Sequence, residues 1–81
     1  MAPEITIRQA TSADAFSLRR LAALDDRPAL RGPVLLAEQR GEVRAALSLE
    51  NGRAIANPFA PTAELIEILR TRGRHVETVA A

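Results

Sequence analysis

Apolar and polar side chains alternate with period two in Ile5-Thr6-Ile7-Arg8, the spacing of a strand with one buried face. The pattern changes at Thr11-Ser12-Ala13-Asp14, where a hydroxyl precedes an acid by three positions and the two can satisfy the orphan amides of a helix start. Ala15, Leu18, Leu21, Ala22 and Leu24 then recur at helical spacing, which predicts an amphipathic helix ending near Asp25. Asp25-Asp26-Arg27-Pro28 and Arg31-Gly32-Pro33 mark a loop, because a proline disfavours helical geometry in the residue before it. Val34 to Gln39 reads as the next strand. The glycine-containing connection Gln39-Arg40-Gly41-Glu42 folds it onto a third, in which Val43, Ala45, Leu47 and Leu49 alternate with Arg44, Ala46, Ser48 and Glu50. Asn51-Gly52 predicts a type I′ turn, with positive φ at both residues, into a short returning strand of Arg53, Ala54, Ile55, Ala56 and Asn57. Pro58 and Pro61 end that strand. Thr62 caps a last helix whose apolar side is Leu65, Ile66, Ile68 and Leu69; Arg70 and Arg72 fall in its final turn and Gly73 stops it. The expected fold class is α+β: a strand, a helix, a three-strand antiparallel meander and a helix. It forms one domain over residues 1–81, with an ordered core over 4–73 and a tail over 74–81.

A chain of 81 residues has room for a single core. It buries only about 60–65% of its unfolded surface, so association with a partner is an economical route to stability. With 47% hydrophobic and 26% charged residues the composition is that of a globular domain rather than a disordered chain. Its basic residues are all arginine, interleaved with acids to a net charge of +1, and it has neither tyrosine nor tryptophan for base stacking, so nucleic acid is not an expected partner. The absence of cysteine removes disulfides, thiolate catalysis and cysteine-ligated metals. Val34-Leu35-Leu36-Ala37 is too short to span a bilayer, and Met1-Ala2-Pro3-Glu4 opens no basic-then-apolar leader. No membrane association is expected, and a cytoplasmic location is.

Candidate chemistry is sparse. Asp25 and Asp26 are adjacent acids beside Arg27 in a loop, which reads as a solvated helix end rather than an acid–base pair or a cation shell. His75 is the single histidine and reads as a surface residue. Ser12, Ser17 and Ser48 lie at a cap, on a helix and on a strand, and none occupies a Gly-x-Ser-x-Gly elbow. Arg70, Arg72, Arg74 and His75 form a C-terminal basic cluster that would suit a phosphate or an acidic partner, set against a helix-capping, solvated role that we favour. Phe16 and Phe59 are expected to fill the core.

The run from Ile5 to Ala15, containing Ile7-Arg8-Gln9-Ala10 and Asp14, followed by Val34 to Leu49 with Ala37-Glu38-Gln39-Arg40-Gly41, resembles the opening half of the GNAT acetyltransferase superfamily. The likeness covers roughly residues 4–57, with Ala45-Ala46 where a glycine is usual. It implies a truncated GNAT fold. That family follows its fourth strand with a glycine-rich loop whose amides hold the coenzyme A pyrophosphate. Here the stretch is Asn57-Pro58-Phe59-Ala60-Pro61-Thr62, without glycine and with two prolines that donate no hydrogen bond. No residue of the acetyl-CoA loop and no catalytic base can be carried over by position, so no cofactor or catalytic residue is assigned.

The resemblance implies a GNAT-like interaction or regulatory module without catalysis. The alternative is an acetyl-CoA-dependent N-acyltransferase with its cleft assembled across a homodimer, and a third reading is a subunit that completes another protein's sheet by strand addition. A homodimer is expected, joined at the exposed edge Arg53, Ala54, Ile55, Ala56 and Asn57 or through the adjoining helix face of Leu65, Ile66, Ile68 and Leu69. A different protein partner is also open.

Overall fold

The computed structural model describes residues 4–80, with side chains through residue 75. Expectations for residues 1–3 and 81 lie outside the described residues. The elements are β1 (Ile5–Gln9), a 3₁₀ turn (Ser12–Asp14), α1 (Ala15–Leu24), β2 (Val34–Gln39), β3 (Glu42–Ser48), β4 (Ala54–Ala56) and α2 (Ala63–Ala80). All neighbouring strands are antiparallel in the order β1-β2-β3-β4, giving an α+β fold.

Strand alternation distributes the apolar residues to both faces, and each face receives one helix. On one side Leu21 and Ala22 of α1 pack with Val34, Leu36, Ala46 and Ile55. On the other, Leu65 and Leu69 of α2 cover Leu35, Ala37, Ala45, Leu47 and Ala56. β2 lies between both layers, which is why Val34-Leu35-Leu36-Ala37 is apolar and buried at every position.

The start of α1 follows the sequence pattern. Thr11 Oγ1 accepts from the Ala13 amide at 3.3 Å, and Asp14 Oδ2 accepts from the Thr11 amide at 2.7 Å, forming a capping box. The end of α1 is a Schellman motif: the Asp26 amide reaches the Ala23 carbonyl at 3.2 Å and the Arg27 amide the Ala22 carbonyl at 3.0 Å, with Asp26 left-handed at φ 52°.

Asn51-Gly52 is not a type I′ turn, since only Gly52 has positive φ, at 74°. The connection is a four-residue loop in which the Gly52 amide returns to the Ser48 carbonyl at 3.0 Å. The fully buried Ser48 hydroxyl organises it, donating to the Arg31 carbonyl at 2.9 Å and accepting from the Glu50 amide at 3.2 Å. A true two-residue turn occurs instead at Arg40-Gly41, both with positive φ (54° and 77°).

Gly73 does not stop α2, which continues to Ala80 through the stretch read as a tail, so Arg70 and Arg72 lie in its interior. Leu65, Leu69 and Gly73 succeed one another at four-residue intervals along the buried stripe. A Cβ on Gly73 would meet Leu47 Cδ2 at 3.1 Å and Leu49 Cδ2 at 3.3 Å. The glycine serves close approach of helix to sheet, and the packing outweighs its poor helix propensity.

Phe16 and Phe59 are not core residues; they are 69% and 84% exposed. Phe16 lies about half a turn around α1 from the Leu18, Leu21 and Ala22 stripe. Phe59 is turned outward by the loop after β4, where its amide bonds Asn57 Oδ1 at 2.8 Å.

Val43 leaves the face shared by Ala45, Leu47 and Leu49. The pairing of β2 with β3 shifts between Ala37, opposite Ala45, and Glu38, opposite Val43, leaving Arg44 without a partner on β2. This β-bulge moves Val43 to the α1 layer.

Candidate functional site

Ala54, Ile55 and Ala56 form a strand just long enough to close the sheet and leave one side open. The Ser48 amide bonds the Arg53 carbonyl at 2.8 Å and the Asn57 amide bonds the Arg44 carbonyl at 2.9 Å. Antiparallel alternation therefore turns Ile55 towards Ala46 of β3, and points the amide and carbonyl groups of Ala54 and Ala56 away from the sheet. The open edge predicted over Arg53 to Asn57 is present, but its strand is the shorter Ala54–Ala56.

This edge is the floor of a cleft of about 610 Å³. Asp25, Arg27, Pro28 and Leu30, in the segment between α1 and β2, make one wall; Ile66 and Arg70 of α2 make the other. The walls belong to the two opposite layers, so the cleft is the gap left where both helical layers overhang a sheet that stops at β4.

Asp25 is not a solvated helix end. It is half-buried, its Oδ2 accepts from the outward Ala56 amide at 3.1 Å, and the same oxygen lies 3.3 Å from Arg27 Nε. A side-chain carboxylate thus occupies one acceptor position that a neighbouring strand would supply. Arg70 Nη1 donates to the Gly52 carbonyl at 3.0 Å, tying α2 to the β3–β4 loop. Arg53 uses its backbone amide on Asn51 Oδ1 at 3.0 Å, while its guanidinium makes no hydrogen bond or ion pair among the described residues. Three guanidiniums and one carboxylate give this cleft a net positive charge.

The other concentration of charge is structural. Arg8 binds both oxygens of Asp14, at 2.9 Å through Nη1 and 2.8 Å through Nη2, and reaches Glu38 Oε1 with Nε at 2.7 Å. The Arg8 guanidinium, with help from the Thr11 amide, holds the Asp14 carboxyl well below the usual carboxylate range. The hydrogen bonds to Asp14 and Glu38 raise Arg8 further above its ordinary value. Both Asp14 oxygens are engaged, so the cluster fastens the start of α1 to β1 and β2.

The predicted basic cluster does not converge. Arg70 and Arg74 share one side of α2 with Gly73, whereas Arg72 lies beside Glu67 and Ile68 on another, and His75 is exposed. Leu65 and Leu69 are consumed by the chain's own core, at 2% and 0% exposure, and cannot form an intermolecular surface. Among the described residues no three His, Cys, Asp or Glu side chains assemble a metal site, and no helix is long and apolar enough to cross a membrane.

The chain matches no family model, no curated protein and no solved structure in the comparisons made.

Proposed function

We propose that the chain is a non-catalytic interaction or regulatory module, GNAT-like in its order of elements, whose working surface is the open edge of β4. The observation that carries this reading is the cleft: the outward-facing strand positions Ala54 and Ala56, the latter with its amide held by the Asp25 side chain, lie between two walls, the arrangement that accepts an added strand. A second copy of the chain is one occupant, which makes the module a homodimer; a strand from a different chain is the other.

The acyltransferase alternative is weakened by the segment that follows β4. The Asn57 amide is bonded to β3, those of Phe59 and Ala60 fold back on Asn57, at 2.8 Å to Oδ1 and 3.3 Å to its carbonyl, and Pro58 and Pro61 have none. These backbone groups are unavailable to a pyrophosphate.

Calorimetry with acetyl-CoA and the substitution Ala54→Pro test the proposal. The Ala54 N–H points away from β3, so proline removes an edge donor without breaking the ladder. We expect no saturable heat with acetyl-CoA; saturation at micromolar concentration overturns the non-catalytic reading. If light scattering finds a dimer, Ala54→Pro is expected to return it to a monomer while circular dichroism stays unchanged. A dimer that survives Ala54→Pro places self-association elsewhere.

A further inference from the structure

From the charges that flank β4 we infer that its cleft takes an extended acidic segment of another polypeptide; this rests on the strand-addition reading above. Strand addition by itself specifies backbone hydrogen bonds and leaves side-chain preference to the walls. Residues of an added strand point alternately to the two layers, so one set meets the Arg27 wall and the next meets Ile66 and Arg70. Each wall offers an apolar surface, Leu30 or Ile66, beside a guanidinium. A segment alternating or mixing carboxylates with small apolar residues satisfies both.

Two details favour an acidic partner over a second copy. Among the described residues Arg53 has no ion pair and Arg70 is bound only to a carbonyl, so two positive charges at the cleft await a counter-charge. Pairing β4 with β4 of another copy would bring a second set of the same arginines to one seam, and like charges there oppose association. The cleft also already holds a carboxylate against the edge: Asp25 accepts the Ala56 amide. An entering strand replaces it with a backbone carbonyl, and Asp25 stays beside Arg27, 3.3 Å away. Asp25 is therefore an internal competitor for the strand position.

The test uses the full chain and three labelled peptides, blocked at both ends, in which valine alternates with glutamate, with glutamine or with lysine, read by fluorescence anisotropy at low and high salt. The glutamate peptide is expected to bind best and to weaken with salt. Arg53→Glu, an exposed position with no side-chain partner among the described residues, is expected to weaken it about fivefold or more. Ala54→Pro is expected to abolish binding, and Asp25→Ala to strengthen it.

Equal binding of glutamate and glutamine peptides, still lost in Ala54→Pro, overturns the acidic preference and leaves strand addition standing. Binding of the glutamate peptide that ignores Ala54→Pro is unspecific attraction and overturns the inference. A dimer dissolved by Ala54→Pro, with no peptide bound, replaces the acidic partner by a second copy. A monomer that binds none of the three peptides removes both the inference and the strand-addition reading beneath it.

Discussion

The sheet has two open edges, and the molecule treats them differently. At β1, the Ala10 amide bonds the Val34 carbonyl at 2.8 Å, so alternation leaves the backbone groups of Ile5, Ile7 and Gln9 facing outward. This edge is five residues long, its surroundings mix Glu4 and Glu38 with Arg40, and the helices pack chiefly over the other strands. It is held from within, by Arg8 bridging Asp14 and Glu38. The β4 edge is three residues long, overhung by both helical layers, and partly answered by Asp25. The contrast teaches that an open ladder is not by itself a docking site. What distinguishes β4 is the cleft around it and the unmatched positive charge.

The sharpest way to break this comparison is to remove the packing beneath each edge. Ile55, 1% exposed, anchors β4 in the α1 layer. Ile55→Ala is expected to lower unfolding free energy by about 2–5 kcal/mol in urea titration. Ile7→Ala, at the half-buried β1 position, should cost clearly less, and equal losses would erase the distinction. Next in size is Gly73→Val, which pushes α2, one wall of the β4 cleft, against Leu47 and Leu49. Thermal melting should register a loss of about 1–3 kcal/mol, with Gly73→Ala much milder.

Acid tests the β1 side. A carboxyl lowered by folding contributes stability that is complete above its unfolded value and disappears as pH falls through the folded one. The contribution of Asp14 is accordingly constant above about pH 4 and declines below it. Asp14→Asn, followed by urea midpoints against pH, should show a shallower acid decline than the parent; an identical slope would mean that the ion pair does not secure β1. The smallest expected effect is at the β2–β3 turn. Arg40→Asn places a residue that tolerates φ of 54° and should raise stability by about 0.5 kcal/mol in the same titration.

Local signals carried most of the architecture into the sequence. Thr11 and Asp14 announce their capping box, and the period changes at Ile5, Ala15 and Val34 locate three elements. The errors arise where a distant contact outweighs a local preference. Gly73 reads as a stop unless Leu47 and Leu49 are known to lie beneath it. Asn51-Gly52 reads as a tight turn unless the buried Ser48 hydroxyl is known to gather the loop. Phe16 was legible: its angular position on α1, half a turn from Leu18 and Leu21, already places it outside the core. The open edge over Arg53 to Asn57 is an expectation of the likeness to a sheet cut short after that strand. Its charged walls were not legible, because Asp25, Arg27, Arg53 and Arg70 come from three separate segments with no common spacing.

The bulge at Arg44 makes parity a property of this fold. Positions of β3 on the two sides of Arg44 obey opposite odd–even rules for which layer they enter. Deleting that one residue would restore uninterrupted alternation and keep Val43, now next to Ala45, in the α1 layer, whereas deleting Ala46 would carry the positions before it into the opposite layer. A deletion of the same length between Arg27 and Pro33 changes no strand's phase. Tolerance to a lost codon is thus set by whether the position keeps count for a strand, rather than by how exposed it is.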